Sequence, residues 1–362
     1  MDVPLEHVGG VRPVRPSELT DGWTASVHDS VYDVAALPVD PALGSIVQPL
    51  RELGRVEYAW KAAGVPVSYL VVDRGRGTAA VVPLFRSSDR HYAGWRPEHL
   101  FRDRAGGPGW ERGVLVGSDA TTPNVANGWP DPHAVTVALR AAVDMAETAS
   151  PGFVCVPHLA DGRDEALAEE RRRGPVLRAE RPELVLDLPF STFEGYLASL
   201  PKRRRRETRV ERRRFLDGAL RVDETPPGEV LDELAPLLRQ VDAKYGPAPS
   251  LLDERNYLQG MAMAMAGAGR ALVARDGGRA VAFALLWCAG EEWRIRCWGA
   301  DYSHPAVRAD AAYFNLVFYE PVIRATAAGA RRLVLGTGTA EAKTLRGARP
   351  RRLGSLAWRT SE

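Results

Sequence analysis

The segment from residue 271 to residue 301 constrains the fold most, because its strand and turn signals are the clearest in the chain. It reads ALVARDGGRAVAFALLWCAGEEWRIRCWGAD, three β-rich runs separated by turns at residues 276–278 and 290–292. Such runs joined by short glycine-containing turns predict an antiparallel meander. An aromatic-rich segment with helical spacing (308–330) and a short strand that ends in a glycine turn (331–339) follow.

The N-terminal half repeats this order in a looser form. Its hairpin, strand, helix and strand are predicted over residues 67–85, 113–118, 132–149 and 152–159. The recurrence suggests a duplication. We therefore expect an α/β (α+β) chain with two tandem domains, residues 1–190 and 191–362, each a mixed, largely antiparallel sheet flanked by helices.

A strongly basic stretch lies between the two copies. The sequence LPKRRRRETRVERRRF (200–215) holds nine basic and two acidic side chains, although the whole chain has a net charge of only +2. It predicts a helix over 202–216 that opens the second domain. Arginines point to nearly every face of this helix, so it cannot bury a broad apolar stripe. The helix is either solvated or faces phosphates.

Two stretches of the second half have the sequence pattern of a known family. FEGYLASLPKRRRRETRVERRR (193–214) resembles the sequence that opens the second domain in tandem GNAT (GCN5-related N-acetyltransferase) proteins of the FemABX type, the peptidoglycan-type aminoacyltransferases. Residues 299–348 resemble the closing block of the same family, with an aromatic-rich helix, a GxG turn and a KxxxG phrase that begins at Lys343. The resemblance is good over 190–350 and loose over 30–190.

The resemblance implies two GNAT-like domains, of which the N-terminal one is degenerate, and transfer of an acyl or aminoacyl group to an amine. FemABX members take an amino acid from aminoacyl-tRNA, whereas ordinary GNAT enzymes take an acyl group from acyl-CoA through a glycine-containing loop at a helix N-terminus. The second copy has HPAVRADAAYF (304–314) at that place, and the first has NGWPDPHAVTV (127–137). Neither is a standard CoA loop. We therefore expect no cofactor and an aminoacyl-tRNA donor, with acyl-CoA as the alternative.

An aminoacyl-tRNA donor requires an electropositive surface, because phosphate contacts dominate affinity for RNA. The basic helix offers one. The residues predicted to bind tRNA are Lys202, Arg203, Arg204, Arg205, Arg206, Arg209, Arg212 and Arg213. The alternatives are a solvated helix in an arginine-rich protein and, for the whole chain, a non-catalytic RNA- or partner-binding protein of this fold.

Three residues are predicted to take part in the chemistry, and two glycines beside one of them are predicted to bind substrate. Lys343 matches the family lysine and is a candidate to stabilise the oxyanion that forms when an amine attacks the donor carbonyl; its alternative is a surface salt bridge. Gly336 and Gly338 would form the turn that exposes backbone donors beside it. Asp301 and Glu320 are candidates to accept the proton of the amine, or else a cap and a surface charge.

Five further residues are predicted to bind substrate. Trp298, Tyr302 and Tyr313 would line a pocket or stack on the adenosine of the donor, with a place in the core as the alternative. Arg308 would hold a phosphate or carboxylate, or lie in solvent. Tyr245 belongs to a glycine- and proline-containing segment that we expect on the substrate side.

The remaining expectations concern partners and location. The three cysteines have no CxxC spacing and the histidines show no ligand pairing, so we predict no metal. No apolar run approaches the ~20 residues that span a bilayer, and a signal-peptide layout is missing, which favours a cytoplasmic protein without membrane insertion. The acceptor is predicted to be a small-molecule amine of specialised metabolism. Peptidoglycan enzymes of the family often insert a long helical arm, for which residues 216–270 leave little room.

Overall fold

The structure is a computed structural model of the 362-residue chain. It describes residues 19, 22–38, 53, 57, 61, 64–88, 96–119, 123–149, 152–170, 176–244, 249–265 and 267–360. The described strands form two seven-stranded sheets, and the chain divides into two compact units with one sheet each. The first unit comprises the described residues of 1–53, 63–180 and 354–362, and the second those of 54–62 and 181–353.

The sheet of the first unit has the strand order β1-β2-β3-β4-β5-β14-β6. Its strands are β1 (Thr24–His28), β2 (Val67–Asp73), β3 (Thr78–Ser88), β4 (Arg112–Val116), β5 (Gly152–Leu159), β6 (Leu177–Glu180) and β14 (Gly354–Thr360). Every pair is antiparallel except β4 and β5, which helix Pro132–Ala149 connects. The other described helices are Val31–Ala35, Glu98–Phe101 and Arg163–Glu170, with 3-10 turns at Arg102–Ala105 and Val125–Gly128.

The sheet of the second unit has the order β13-β7-β12-β11-β10-β9-β8. Its strands are β7 (Glu183–Asp187), β8 (Arg221–Thr225), β9 (Gly269–Asp276), β10 (Arg279–Ala289), β11 (Glu292–Ala300), β12 (Arg332–Val334) and β13 (Arg349–Arg351). Only β11 and β12 run parallel. The described helices are Phe193–Ser199, the basic helix (Lys202–Asp217), the helix pair (Leu231–Asp242 and Leu251–Ala264) and Ala340–Thr344, with a 3-10 turn at Pro227–Glu229.

Between β11 and β12 the chain forms what we call the aromatic segment, which comprises Pro305–Ala309, Ala312–Phe314, the π-helical turn Asn315–Tyr319 and Glu320–Ala327. The helix predicted over 308–330, for which Pro321 suggests a kink or two helical pieces, is therefore interrupted, and the break lies before Pro321. Ala311 adopts a left-handed conformation (φ 52°), which ends the first helix before the second begins.

The predicted meander is present as β9, β10 and β11. Gly277 and Gly278 form its first turn with φ values of 55° and 88°, which favour glycine. Successive side chains of β9 point to opposite faces: Leu272 joins a core cluster with residues of the basic helix and aromatic segment, and Val273 one with the helix pair. The sheet is thus covered by helices on both faces, and the predicted fold class is confirmed.

The strand pairing differs from the predicted division at residue 190 in two places. β7 precedes that residue but pairs with β12 and β13 of the second sheet. β14 follows it but pairs with β5 and β6 of the first sheet. These strands pair with partners that are distant in sequence, which a local pattern does not record. Among the described residues, no helix combines the length and apolar character needed to cross a membrane.

Two carboxyl groups meet at one end of the helix pair. Glu254 is 2% exposed. Its burial, together with the nearby Asp242 carboxyl, raises the pKa of Glu254 to about 8. Burial also raises the pKa of Asp242, although the hydrogen bond with Glu254 opposes this shift. The two groups therefore share a proton near neutral pH.

Glu254→Gln should stabilise the protein at pH 8 and have little effect at pH 4. The pKa of Glu254 is about 8 in the folded protein and near its ordinary 4.5 in the unfolded chain. The folded state thus binds the additional proton between these values, and stability falls as pH rises through this range. We expect the Tm to rise by about 5 °C at pH 8. Thermal unfolding at pH 4, 6 and 8 measures this, with the exposed Glu229→Gln as the control; a Tm difference independent of pH would contradict it.

Candidate functional site

The candidate site lies where β11 and β12 part from each other. The two strands pair only through Glu292–Arg294 and Arg332–Val334. β12 then ends, whereas β11 continues to Ala300. Residues 295–300 consequently pair only with β10 in the described part of the chain. We call the place between this half of β11 and the turn at 335–339, where no strand pairing joins the described residues, the gap.

The turn and the helix Ala340–Thr344 form one side of the gap. Gly336 and Thr339 have φ values of 74° and 48°, which reverse the chain after β12. From the helix, the Lys343 Nζ donates hydrogen bonds to the Leu335 carbonyl oxygen at 2.5 Å and to the Gly336 carbonyl oxygen at 3.4 Å. An ammonium group has three N–H donors, so among the described residues one is left without an acceptor and is available to a ligand.

Lys343 is a buried cation rather than a surface ion-pair partner. The residue is 4% exposed. Burial lowers the pKa of Lys343 to about 8, with Glu183 opposing this shift and Arg181 adding to it. The alternative of a salt bridge with Glu341 does not fit a side chain whose hydrogen bonds go to backbone carbonyls. At pH 7 most of the molecules retain the charge.

Aromatic side chains connect the two sides of the gap. The Trp298 and Tyr313 rings meet edge to face with centroids 5.3 Å apart. The Tyr313 hydroxyl lies 2.9 Å from Oγ1 of Thr339 in the turn. Trp298 Nε1 donates to the Tyr302 hydroxyl at 3.2 Å, and Lys244 Nζ lies over the Tyr302 ring. Of the predicted residues, Trp298 therefore contacts both Tyr302 and Tyr313, and Tyr313 contacts the turn held by Lys343.

Both predicted proton acceptors are engaged in ion pairs. Asp301 accepts hydrogen bonds from the side chain and backbone of Ser303 and pairs with Arg279 at 2.6 Å. The Ser303 hydrogen bonds hold the pKa of Asp301 below its ordinary value, which makes it a weak base. Glu320 is 8% exposed and pairs with Arg212 at 2.6 Å and with Arg324. Both carboxylates are therefore held by arginine side chains, and their role as proton acceptors stays a prediction.

Three other predicted residues lie at the edge of this arrangement or outside it. Arg308 is exposed, and its side chain forms no hydrogen bond or ion pair with a described residue. Gly338 is exposed in the turn. Tyr245 lies outside the residues that the structure describes.

The outer face of the basic helix is densely charged. Its exposed cations are Lys202, Arg203, Arg206, Arg209, Arg213 and Arg214. Arg203 and Arg209 form ion pairs with Glu207 and Glu194. The side chains of the other four, Lys202, Arg206, Arg213 and Arg214, form no ion pair or hydrogen bond with any residue that the structure describes. Their charge is available to an anionic ligand.

The inner face carries the other three arginines predicted to bind tRNA, and each has a contact within the protein. Arg205 donates to the Ala198 and Leu200 carbonyl oxygens at 3.0 and 3.1 Å, at the end of the preceding helix. Arg204 pairs with Glu207 at 2.8 Å. Arg212 pairs with Glu320, as described above. These contacts stabilise the helix and leave the outer face as the candidate RNA surface.

Sequence reasoning missed a buried ion pair beside Lys343. Arg346 is 1% exposed. Its Nη2 donates to both carboxylate oxygens of Glu211 at 2.9 Å, and its Nε donates to the Tyr319 hydroxyl at 3.0 Å. Its guanidinium carbon lies 3.3 Å from the centroid of the Phe314 ring. The only signals in the sequence are a glutamate inside an arginine run and an arginine inside the KxxxG phrase.

Fold and site together define the class of the protein. Each unit contains a largely antiparallel sheet with one parallel strand pair, and the second has a buried lysine and aromatic side chains where that pair parts. This is the architecture of a tandem GNAT-fold acyltransferase.

The chain belongs to the FemAB-like family, described as peptidoglycan biosynthesis/recognition, whose model matches residues 163–362. The resemblance to FemABX-type proteins is thereby confirmed. No curated protein matches the chain in sequence.

Solved structures show the same fold along nearly the whole chain. FemX matches with a TM-score of 0.58 at 11% identity, covering 92% of this chain and 96% of FemX. A conserved protein of unknown function from Bacteroides thetaiotaomicron matches with a TM-score of 0.56 at 14% identity, covering 91% and 98%. A tandem GNAT protein from the clavulanic acid biosynthesis pathway matches with a TM-score of 0.50 at 12% identity, covering 93% and 99%. Family and fold together indicate an acyl- or aminoacyltransferase.

Proposed function

We propose that the protein transfers an aminoacyl group from aminoacyl-tRNA to the amine of a small-molecule acceptor, with formation of an amide bond. The observation that carries this proposal is the outer face of the basic helix. Lys202, Arg206, Arg213 and Arg214 lie there without partners among the described residues. Clustered unpaired cations match the phosphates of an RNA stem, whose neutralisation dominates RNA affinity.

The start of the aromatic segment supports RNA over CoA as the source of the transferred group. A CoA pyrophosphate binds to free backbone N–H groups at a helix N-terminus, where glycines permit close approach. Here the corresponding chain has Asp310 and Ala311 and no glycine. The Asp310 Oδ2 is buried without a hydrogen-bond partner among the described residues, so this helix start already carries a carboxylate charge. Two anions at one helix start repel each other.

Lys343 supplies the stabilising charge in this reaction. The acceptor amine attacks the ester carbonyl of the donor, and a C–N bond forms while the carbonyl oxygen becomes an oxyanion. The third N–H of Lys343 donates to this oxyanion. The C–O bond to the ribose then breaks, and the ribose oxygen takes up the proton that the amine loses. The reaction thus balances without a cofactor.

The helix pair supports a small acceptor. The chain between the basic helix and β9 forms β8 and the two short helices Leu231–Asp242 and Leu251–Ala264. Both helices pack on the sheet through an apolar cluster. We therefore propose an acceptor from specialised metabolism rather than a cell-wall precursor.

A donor comparison tests this function directly. The protein is incubated with a panel of small amines and either a mixture of charged tRNAs or acyl-CoA, and amide products are detected by mass spectrometry. We expect products only with charged tRNA, and their loss after RNase treatment. Uncharged tRNA is the control. Products formed with acyl-CoA in the absence of RNA would contradict the proposal and favour acyl-CoA-dependent N-acylation.

A further inference from the structure

The backbone of Lys343 is held from both sides by Arg346. The Arg346 Nη1 donates to the Ala342 carbonyl oxygen at 3.1 Å. The backbone N–H of Arg346 donates to the Lys343 carbonyl oxygen at 3.0 Å. The Arg346 carbonyl oxygen in turn accepts from the Tyr196 hydroxyl at 3.1 Å. A displacement of the Arg346 guanidinium therefore displaces Lys343.

The same guanidinium reaches the aromatic side of the gap. It lies over the ring of Phe314, which contacts the ring of Tyr313 at 5.3 Å between centroids. Tyr313 lines the gap together with Trp298. Both sides of the gap consequently depend on one buried arginine.

Glu211 holds this arginine in place. Its two carboxylate oxygens accept from Arg346, and one also accepts from the Tyr319 hydroxyl. Burial raises the pKa of Tyr319 to about 12, so its hydroxyl stays protonated and continues to donate. Charge-assisted hydrogen bonds in a buried cluster are strong and leave little freedom of position.

Glu211 also lies opposite the outer face of the basic helix. Arg213 is two residues further along the helix, and it belongs to the exposed cations without described partners. Next to Glu211, Arg212 donates to Asn315 Oδ1 at 3.1 Å and pairs with Glu320 in the aromatic segment. A helix moves as a rigid element, so a ligand on its outer face displaces the carboxylate on its inner face.

We propose that Glu211 is a positioning residue that, through Arg346, couples occupancy of the outer face by the RNA donor to the placement of Lys343 in the gap. The coupling to RNA rests on the function proposed above, whereas the positioning of Lys343 by Glu211 rests on the contacts alone. Coupling between two sites is reciprocal. If RNA binding changes the placement of Lys343, then a change in the placement of Lys343 also changes the affinity for RNA.

Lysine-selective nuclear magnetic resonance tests both parts, because the chain has only four lysines, Lys61, Lys202, Lys244 and Lys343. The side-chain signal that is missing in Lys343→Arg identifies Lys343. Without RNA, the midpoint of its titration is expected at about 8 in the wild type. In Glu211→Gln the midpoint should rise by about one pH unit, because a lysine that is no longer held in its buried position is better hydrated, and hydration favours the charged form. Asp217→Asn removes an exposed carboxylate from the same helix and should leave the midpoint unchanged.

The second arm adds an unacylated acceptor-stem RNA hairpin. The Lys343 signal should shift in the wild type and stay in place in Glu211→Gln, while fluorescence anisotropy shows that both proteins bind the RNA.

Tyr319→Phe removes only the hydroxyl from the cluster, and it replaces Glu211→Gln in both arms if that variant fails to fold. A folded variant with the wild-type midpoint overturns the positioning role, and an RNA-induced shift equal to that of the wild type overturns the coupling. If the wild type does not bind RNA, the proposed donor fails and the coupling with it, while the first arm still decides the positioning.

Discussion

Lys343→Ala should lower kcat by about 100- to 1000-fold and change the KM for the donor far less. The ammonium interacts with the charge that develops on the carbonyl oxygen in the transition state, so its loss affects the chemical step. For the same reason, the wild-type rate should lose the contribution of Lys343 as pH rises through its pKa of about 8, since only the protonated lysine is a cation. Steady-state rates between pH 6 and 9 measure both effects.

The controls for this experiment separate catalysis from folding. Removal of the side chain leaves the Leu335 carbonyl without its partner, which costs about 1–3 kcal/mol of stability. Lys343→Met retains most of the side-chain volume and should match the alanine variant in rate. Thr344→Ala changes the next residue, which is exposed, and should behave as the wild type. A folded Lys343→Met protein with unchanged kcat would exclude the oxyanion role.

Simultaneous replacement of Lys202, Arg206, Arg213 and Arg214 by glutamine should weaken RNA binding by about 100-fold at 0.1 M salt. The slope of log K against log salt concentration should decrease by about four, one for each phosphate that is no longer neutralised. These four side chains have no partner among the described residues, so the fold should be unaffected. Fluorescence anisotropy with an acceptor-stem hairpin over a salt series measures both quantities.

A matched variant tests whether the location of the charge matters. It replaces four exposed arginines elsewhere in the chain by glutamine: Arg76, Arg112, Arg331 and Arg349. Its net charge equals that of the helix variant, but its RNA affinity and salt slope should remain near those of the wild type. Equal weakening in the two variants would mean that RNA responds to overall charge, and the basic helix would lose its assigned role.

Local patterns were sufficient for the elements that are continuous in sequence. The predicted helix over 132–149 and the strand over 152–159 coincide with the observed ones, and the basic helix ends one residue beyond its predicted end. The place of β14 was not predictable, because its partner β5 lies some two hundred residues earlier. The Gly152 N–H, for example, donates to the Thr360 hydroxyl at 2.8 Å. No periodicity in a short window contains such a pairing.

The same distinction applies to the candidate site. Lys343, Trp298 and Tyr313 were found by family pattern and residue type, and the structure places them around one gap; their roles stay predictions. The partners of the charged residues were not predictable. Glu320 is held by an arginine 108 positions earlier in the chain, and Arg346 by a glutamate 135 positions earlier. The sequence shows which residues are charged. The function of a charged residue also depends on the oppositely charged residue that the fold places beside it, and the sequence does not show that residue.

The positions of β7 and β14 limit how the chain can be divided. Each half of the sequence contributes a strand to the interior of the other half's sheet, because β7 lies between β13 and β12 and β14 lies between β5 and β6. A fragment cut at residue 190 would therefore contain a sheet split in two, with unpaired backbone on both sides of the missing strand. Neither half can therefore be swapped or deleted as a separate module without the strand that the other half supplies.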